Sequence, residues 1–223
     1  MQPTLDPDTS QIRAELQTAI EACNQQVLGN PGALKFAFIA FLAGGHLLIE
    51  DLPGLGKTTL ARTLAKVLGL SFKRVQFTTD LLPSDIIGVS IFNPEKRSFE
   101  FHRGAVFTSI LLADEINRAP PRTQSALLEA MAEQQVSVDG DTFSLPEPFF
   151  VIATQNPTDL AGTFPLPDSQ LDRFTLRISM GYVSAEQERA LLKNGGSNSG
   201  LVTSAFLDNQ TLIEIRRQIA ALH

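Results

Sequence analysis

The sequence predicts an α/β fold, a parallel sheet flanked by helices, and three observations carry that prediction. Three apolar runs of strand length, His46–Glu50, Ser109–Ala113 and Phe149–Thr154, each give way to polar residues, as buried parallel strands do where their ends meet solvent. The first run leads through a glycine-containing connector into Thr58–Leu68, where Leu60, Leu64, Val67 and Leu68 recur at helical spacing. The second run follows that connector after about fifty residues, the separation expected of a second central strand in such a sheet.

At the N-terminus a polar, acidic arm precedes a helix near Gln11–Gln26 that gathers Ile12, Leu16, Ala19, Ile20 and Cys23 on one face. The longest apolar stretch, Leu34–Ile49, is interrupted by Lys35, Gly44, Gly45 and His46. It therefore reads as a buried helix running into the first strand and not as a membrane span.

Asp51-Leu52-Pro53-Gly54-Leu55-Gly56-Lys57-Thr58 then reads as a loop that cradles phosphate. A polyphosphate needs inward-pointing backbone N–H groups, a mobile cation and the positive end of a helix. Gly54 and Gly56 permit the tight backbone, Lys57 reaches the outer phosphates, and the Thr58 hydroxyl completes the shell of a phosphate-bound Mg²⁺. Asp51 stands where the strict pattern has its first glycine, so a strand-to-helix connector with two turn glycines is the competing reading.

A further strand is expected at Phe72–Phe77, before Leu81–Gly88. The second apolar run ends in Asp114-Glu115, and two adjacent carboxylates at a strand end can divide the work. Asp114 holds Mg²⁺ through water while Glu115 orients and deprotonates the attacking water; a solvated turn is the plain alternative. The third run ends in Gln155-Asn156-Pro157, placing Asn156 level with Glu115 on the neighbouring strand. An amide both donates and accepts, so Asn156 can hold the lytic water or sense the terminal phosphate, against the alternative of an Asn-Pro turn.

Two hairpins are inserted in this core. Ile91-Phe92 and Phe99-Glu100-Phe101 flank Asn93–Arg97, and Val136–Val138 and Thr142–Leu145 flank the turn Asp139-Gly140-Asp141. Farther on, Ser184–Lys193 reads as a serine-capped helix, Asn194–Gly200 as a flexible linker and Thr211–Leu222 as an amphipathic helix.

With 223 residues, 43% of them hydrophobic, the chain can bury one large core and begin a second unit. The lone Cys23 excludes an intrachain disulfide, and the polar start lacks a signal-peptide pattern, so a cytoplasmic setting is expected. A net charge of −6 offers no general attraction to nucleic acid, which is not an expected partner.

The run ILLADEINRAPPRTQSALLEAMAEQQVSVDG (Ile110–Gly140), with EDLPGLGKTTLAR before it and FFVIATQNP and QLDRF after it, resembles the MoxR group of AAA+ ATPases from about Val27 to Arg177. The resemblance implies a P-loop NTPase core with a five-stranded parallel sheet in the order 5-1-4-3-2. It divides the chain into an arm and helix (1–26), an AAA+ core (27–182) and a linker with the start of a C-terminal helical region (183–223), the helical lid being largely absent. It assigns ATP contacts to Val27, Gly29, Pro53, Gly54, Leu55, Gly56, Lys57, Thr58 and Thr59, with Mg²⁺ at Thr58 and Asp114. Glu115 becomes the catalytic base, Asn156 the sensor 1 residue, and Arg173 an arginine finger reaching a neighbouring subunit's ATP. For Arg173 a local pair with Asp172 competes. Arg103, Arg118 and Arg122 fall near the expected subunit seam, where sensing a neighbour's nucleotide and a plain structural role are both open. The inserted hairpins are implied to face the pore or a partner, with Phe99, Phe101 and the Glu95-Lys96-Arg97 tip as contacts.

Function by resemblance is ATP-driven, chaperone-like remodelling of partner proteins by a ring, a hexamer, often with a partner that carries a von Willebrand factor A (VWA) domain. The alternatives are a nucleic-acid or chelatase-type motor and a nucleotide-gated scaffold with little turnover.

Overall fold

The computed structural model describes residues 14, 16–21, 23, 31–158, 162–181, 189 and 208–221. In chain order, the first part holds α1 (Pro31–Leu42), β1 (Leu47–Glu50), α2 (Lys57–Val67), β2 (Phe72–Gln76) and α3 (Pro83–Ile87). Next come β3 (Gly88–Asn93), β4 (Ser98–Arg103), β5 (Ile110–Asp114), α4 (Pro121–Glu133), β6 (Gln135–Val138) and β7 (Asp141–Ser144). The last are β8 (Phe150–Gln155), α5 (Asp168–Leu171), β9 (Leu176–Ile178) and α6 (Asn209–Ala220). The chain forms two compact units. One comprises Met1–Gly44, Gly54–Leu70 and Met180–His223, the other Gly45–Pro53 and Ser71–Ser179.

The first unit is helical. Helix α1 is apolar nearly all round and buries Ala33, Leu34, Ala37, Phe38, Ala40 and Phe41. Helix α2 buries Leu60, Ala61, Leu64, Ala65 and Val67, the stripe expected from the sequence spacing. Of the expected N-terminal helix, the described residues are helical, and Ala19 and Cys23 are buried. Helix α6 begins two residues before the expected Thr211 because Asp208 caps it, its carboxylate accepting the Thr211 N–H at 2.9 Å. The Arg216 guanidinium lies 5.4 Å from the Phe41 ring centroid and ties α6 to α1. The expected Ser184–Lys193 helix and the 194–200 linker lie outside the described residues, apart from helical residue 189.

The second unit holds the sheet, with order β2-β5-β8-β1-β9 and every pairing parallel. Counted along the chain, that is 5-1-4-3-2. Strands β5 and β8 are central and almost wholly buried, which explains their unbroken apolar runs. Their inward residues pack with Phe77, Ile86, Leu127, Met131 and Phe149 in one core.

Both expected hairpins form as antiparallel pairs, β3 with β4 and β6 with β7. The second turn is tighter than expected: Asp141 pairs with Val138 as the first residue of β7, leaving only Asp139 and Gly140 in the turn. Both have positive φ, 54° and 90°, the backbone of a two-residue turn that matches strand twist.

Candidate functional site

The chain leaves β1 at Glu50, whose carboxylate is held by the side chains of Gln155 and Arg177. Asp51 follows, its N–H donating to the Gln155 carbonyl at 3.1 Å and its carboxylate accepting from Ser179 Oγ at 3.1 Å. Asp51 thus fastens the end of β1 to the end of β8 through its backbone and to Ser179, just beyond β9, through its carboxylate, and the second contact is one a glycine could not make. This is a physical reason for its departure from the strict glycine pattern. Pro53 completes this segment.

The remainder of the loop belongs to the helical unit. Gly54 and Gly56 have φ of 87° and 84°, and among the described residues no heavy atom other than those of the adjoining residues lies within 4 Å of where either Cβ would stand. Leu55 lies between them, and α2 starts at Lys57, so Thr58 and Thr59 occupy its first turn. First-turn amides have no carbonyl of their own helix to bond, and the dipole makes that end positive. Open space over left-handed glycines at a helix N-terminus fits a phosphate group.

In the sheet unit, Asp114 is the last residue of β5. Its Oδ1 accepts from Thr154 Oγ1 at 2.6 Å, and its Oδ2 takes Arg74 Nη2 at 2.6 Å and Nε at 3.1 Å. Glu115 turns out of the strand with φ 57° and ψ 50°, a left-handed conformation that costs a non-glycine residue about 1–2 kcal/mol. Its N–H donates to Thr154 Oγ1 at 2.9 Å. Its Oε2 accepts from Gln76 Nε2 at 2.8 Å and pairs with Arg118 Nε at 2.9 Å. The Asp114 and Glu115 side chains keep 15% and 25% of their surface open, so both remain reachable by a ligand.

The β5–β8 register pairs Ala113 with Ala153, which sets Thr154 across from Asp114 and Gln155 across from Glu115. Asn156 therefore falls one residue beyond the expected level. Its Oδ1 accepts from the Thr158 N–H at 3.2 Å and Oγ1 at 2.8 Å, closing a local turn. Arg173 is exposed after α5 and, among the described residues, forms no ion pair, so the competing pair with Asp172 is not made. Arg118 engages the chain's own Glu115, and Arg103 lies 5.2 Å from the Phe107 ring centroid. Val27 and Gly29 lie outside the described residues.

Three residues that bind the carboxylates were missed by sequence reasoning: Arg74, Gln76 and Thr154. The available signal was the alternation of Arg74 and Gln76 along β2 with the parallel register that puts Gln76 beside Asp114.

Residues 46–176 match the family described as "ATPase family associated with various cellular activities (AAA)". Chaperone MoxR1 of Mycobacterium tuberculosis is 45% identical over 181 residues, covering 81% of this chain and 48% of that protein. The chain belongs to the MoxR family of AAA+ ATPases. Another relative, the uncharacterized protein YeaC of Bacillus subtilis, is 52% identical over 177 residues, covering 79% of this chain and 55% of that protein. A crystal structure of a putative ATPase from Cytophaga hutchinsonii superposes with a TM-score of 0.84 at 40% identity, covering 94% of this chain and 64% of that one. The fold is accordingly the P-loop core of an AAA+ ATPase. This MoxR-family chain spans about half the length of the curated relatives it matches.

Proposed function

We propose that this MoxR-family chain binds and hydrolyses ATP to drive chaperone-like remodelling of partner proteins. The observation that carries the reading is the pair Asp114-Glu115 at the end of central strand β5, with one buried hydroxyl, Thr154 Oγ1, bonded to the Asp114 carboxylate and the Glu115 amide. Adjacent carboxylates set at fixed positions at a strand end suit one to hold a cation and the other to take a proton.

In this reading Pro53, Gly54, Leu55, Gly56, Lys57, Thr58 and Thr59 wrap the phosphates, Val27 and Gly29 meet the adenine, and Thr58 and Asp114 hold Mg²⁺. When bound, Mg²⁺ neutralises charge on the phosphates. Glu115 accepts a proton from the water that attacks the γ-phosphate, and Asn156 orients that water. Arg173, an exposed guanidinium, reaches the nucleotide of a neighbouring subunit in a ring, a hexamer. The family supports the further reading that a VWA-domain protein is the partner and the cytoplasm the setting. Among the described residues no helix is long and apolar enough to cross a membrane.

The test compares nucleotide binding with steady-state ATPase activity. Lys57→Ala is expected to abolish ATP binding. Glu115→Gln is expected to keep binding and lower turnover by about 10²-fold or more, the contribution of a general base. Equal loss of binding in both variants would overturn the division of roles.

A further inference from the structure

We infer that the two inserted hairpins together form a binding pocket for a lysine or arginine side chain of a partner polypeptide, carried beside apolar residues. Between β3–β4 and β6–β7 lies a cavity of about 540 Å³ lined by Ser90, Phe99, Phe101, Asp139, Asp141 and Phe143. The register builds this lining: Ser90 pairs with Phe101 and Phe92 with Phe99, so these four share one face of the first hairpin. On the second, Val136 pairs with Phe143 and Val138 with Asp141, which again share a face. Phe101 and Phe143 stack across the two hairpins with centroids 3.9 Å apart and planes 12° from parallel. Phe99 meets Phe92 edge to face at 5.4 Å, yet 71% of its surface stays exposed.

Charge decides the occupant. Asp139 lies in the tight turn and Asp141 follows it, and neither pairs with a basic side chain among the described residues. No lysine, arginine or histidine occurs from Gln135 to Leu145. On the facing hairpin, Lys96 is engaged with Glu100 at 2.6 Å and Arg103 lies against Phe107. Carboxylates beside aromatic rings attract a cation twice over, through charge and through the ring faces, and repel phosphate. The exposed rings of Phe99 and Phe92 add an apolar surface that a bare metal ion or polyamine would leave wet. A basic side chain flanked by apolar ones satisfies both features. The inference rests on the remodelling reading in one respect, that the occupant is a polypeptide.

The experiment titrates the full chain, without nucleotide, into a fluorescein-labelled decapeptide of alternating leucine and lysine, with a glutamate-for-lysine analogue beside it. Saturable binding of the lysine peptide alone is expected, weakened about tenfold in Asp139→Asn/Asp141→Asn, the combined size of two exposed charge pairs. Asparagine tolerates the left-handed backbone at position 139, so the hairpin is retained. Phe99→Ala is expected to weaken binding as well, with ATP affinity unchanged in both variants. No binding of the lysine peptide, equal binding of both peptides, or unchanged affinity in both variants would overturn the pocket. Peptide binding lost in these variants, in a chain that does not hydrolyse ATP, would uphold the pocket and remove the remodelling reading; turnover with no peptide binding would do the reverse.

Discussion

Thr154 shows how much one buried side chain can organise. Its hydroxyl donates to Asp114 and accepts from the Glu115 amide, so a single group sets the direction of one carboxylate and the backbone of the next. Thr154→Val keeps the volume and the branched Cβ but leaves the Glu115 amide without its acceptor. We expect a loss of about 1–2 kcal/mol in stability by chemical denaturation, the cost of one unmet buried donor. We also expect turnover to fall at least about tenfold with ATP affinity nearly retained, because Thr154 holds the proposed proton acceptor and not the proposed phosphate loop. Unchanged turnover would remove Thr154 from the site. Arg74 adds a second constraint, since its guanidinium donates twice to Asp114 Oδ2.

Strand β1 is set in place by a residue whose role is structural. His46 is buried just before β1, its Nδ1 accepting the Val151 N–H at 3.0 Å and its Nε2 lying 3.3 Å from the Met131 carbonyl. The acceptor role of Nδ1 puts the proton on Nε2, and the ring packs edge-on to Phe149 at 5.8 Å. His46→Leu fills similar space but leaves a buried donor and acceptor unmet, so a loss of about 2–3 kcal/mol is expected in urea unfolding. Its neighbour Gly45 has no room for change, because a Cβ there would lie 1.5 Å from Thr175 Oγ1. Helix α6 has a different dependence. The Thr211 backbone N–H, then its hydroxyl, hold the Asp208 carboxyl below the usual carboxylate range. A depressed native value means that the cap stabilises α6 above about pH 4, where the unfolded group ionises, and that this is lost as pH falls through the lower native value. Amide exchange in the first turn of α6 should quicken over that acid window, and Asp208→Asn should remove the dependence.

At the scale of the whole molecule the open question is assembly, and Arg173 addresses it. Its exposed guanidinium has no ion-pair partner among the described residues of its own chain. If it serves a neighbour's nucleotide, ATPase activity per chain rises with protein concentration. Arg173→Ala then lowers turnover by up to about 10³-fold and spares ATP affinity. Activity independent of concentration in the unaltered protein would count against a shared site. Cys23 offers a probe of integrity in such measurements, because burial pushes its thiol up to about 12.

Much of this architecture was legible in the sequence because its cause is local. Ile110–Ala113 and Phe149–Ala153 are apolar throughout since both faces of a central parallel strand are covered. Asp139-Gly140 announces its turn through the two positive φ values it supplies cheaply. The glycine connector before α2 and the Asp114-Glu115 pair at the end of β5 were likewise visible, because each is written in consecutive residues. The partners of those carboxylates were not. Arg74 and Gln76 lie about forty residues before them, as Thr154 lies about forty after, and reach them only through the parallel registers of β2 with β5 and β5 with β8. The same holds for the hairpin pocket, where Phe101 and Phe143 meet by packing and not by sequence proximity. The sequence by itself determined four of the five sheet strands, both hairpins and the family, while β9 (Leu176–Ile178) went unread. Only the tertiary structure decided which side chains hold the carboxylates and which aromatic and acidic groups share a cavity, because those contacts depend on register and packing between distant segments.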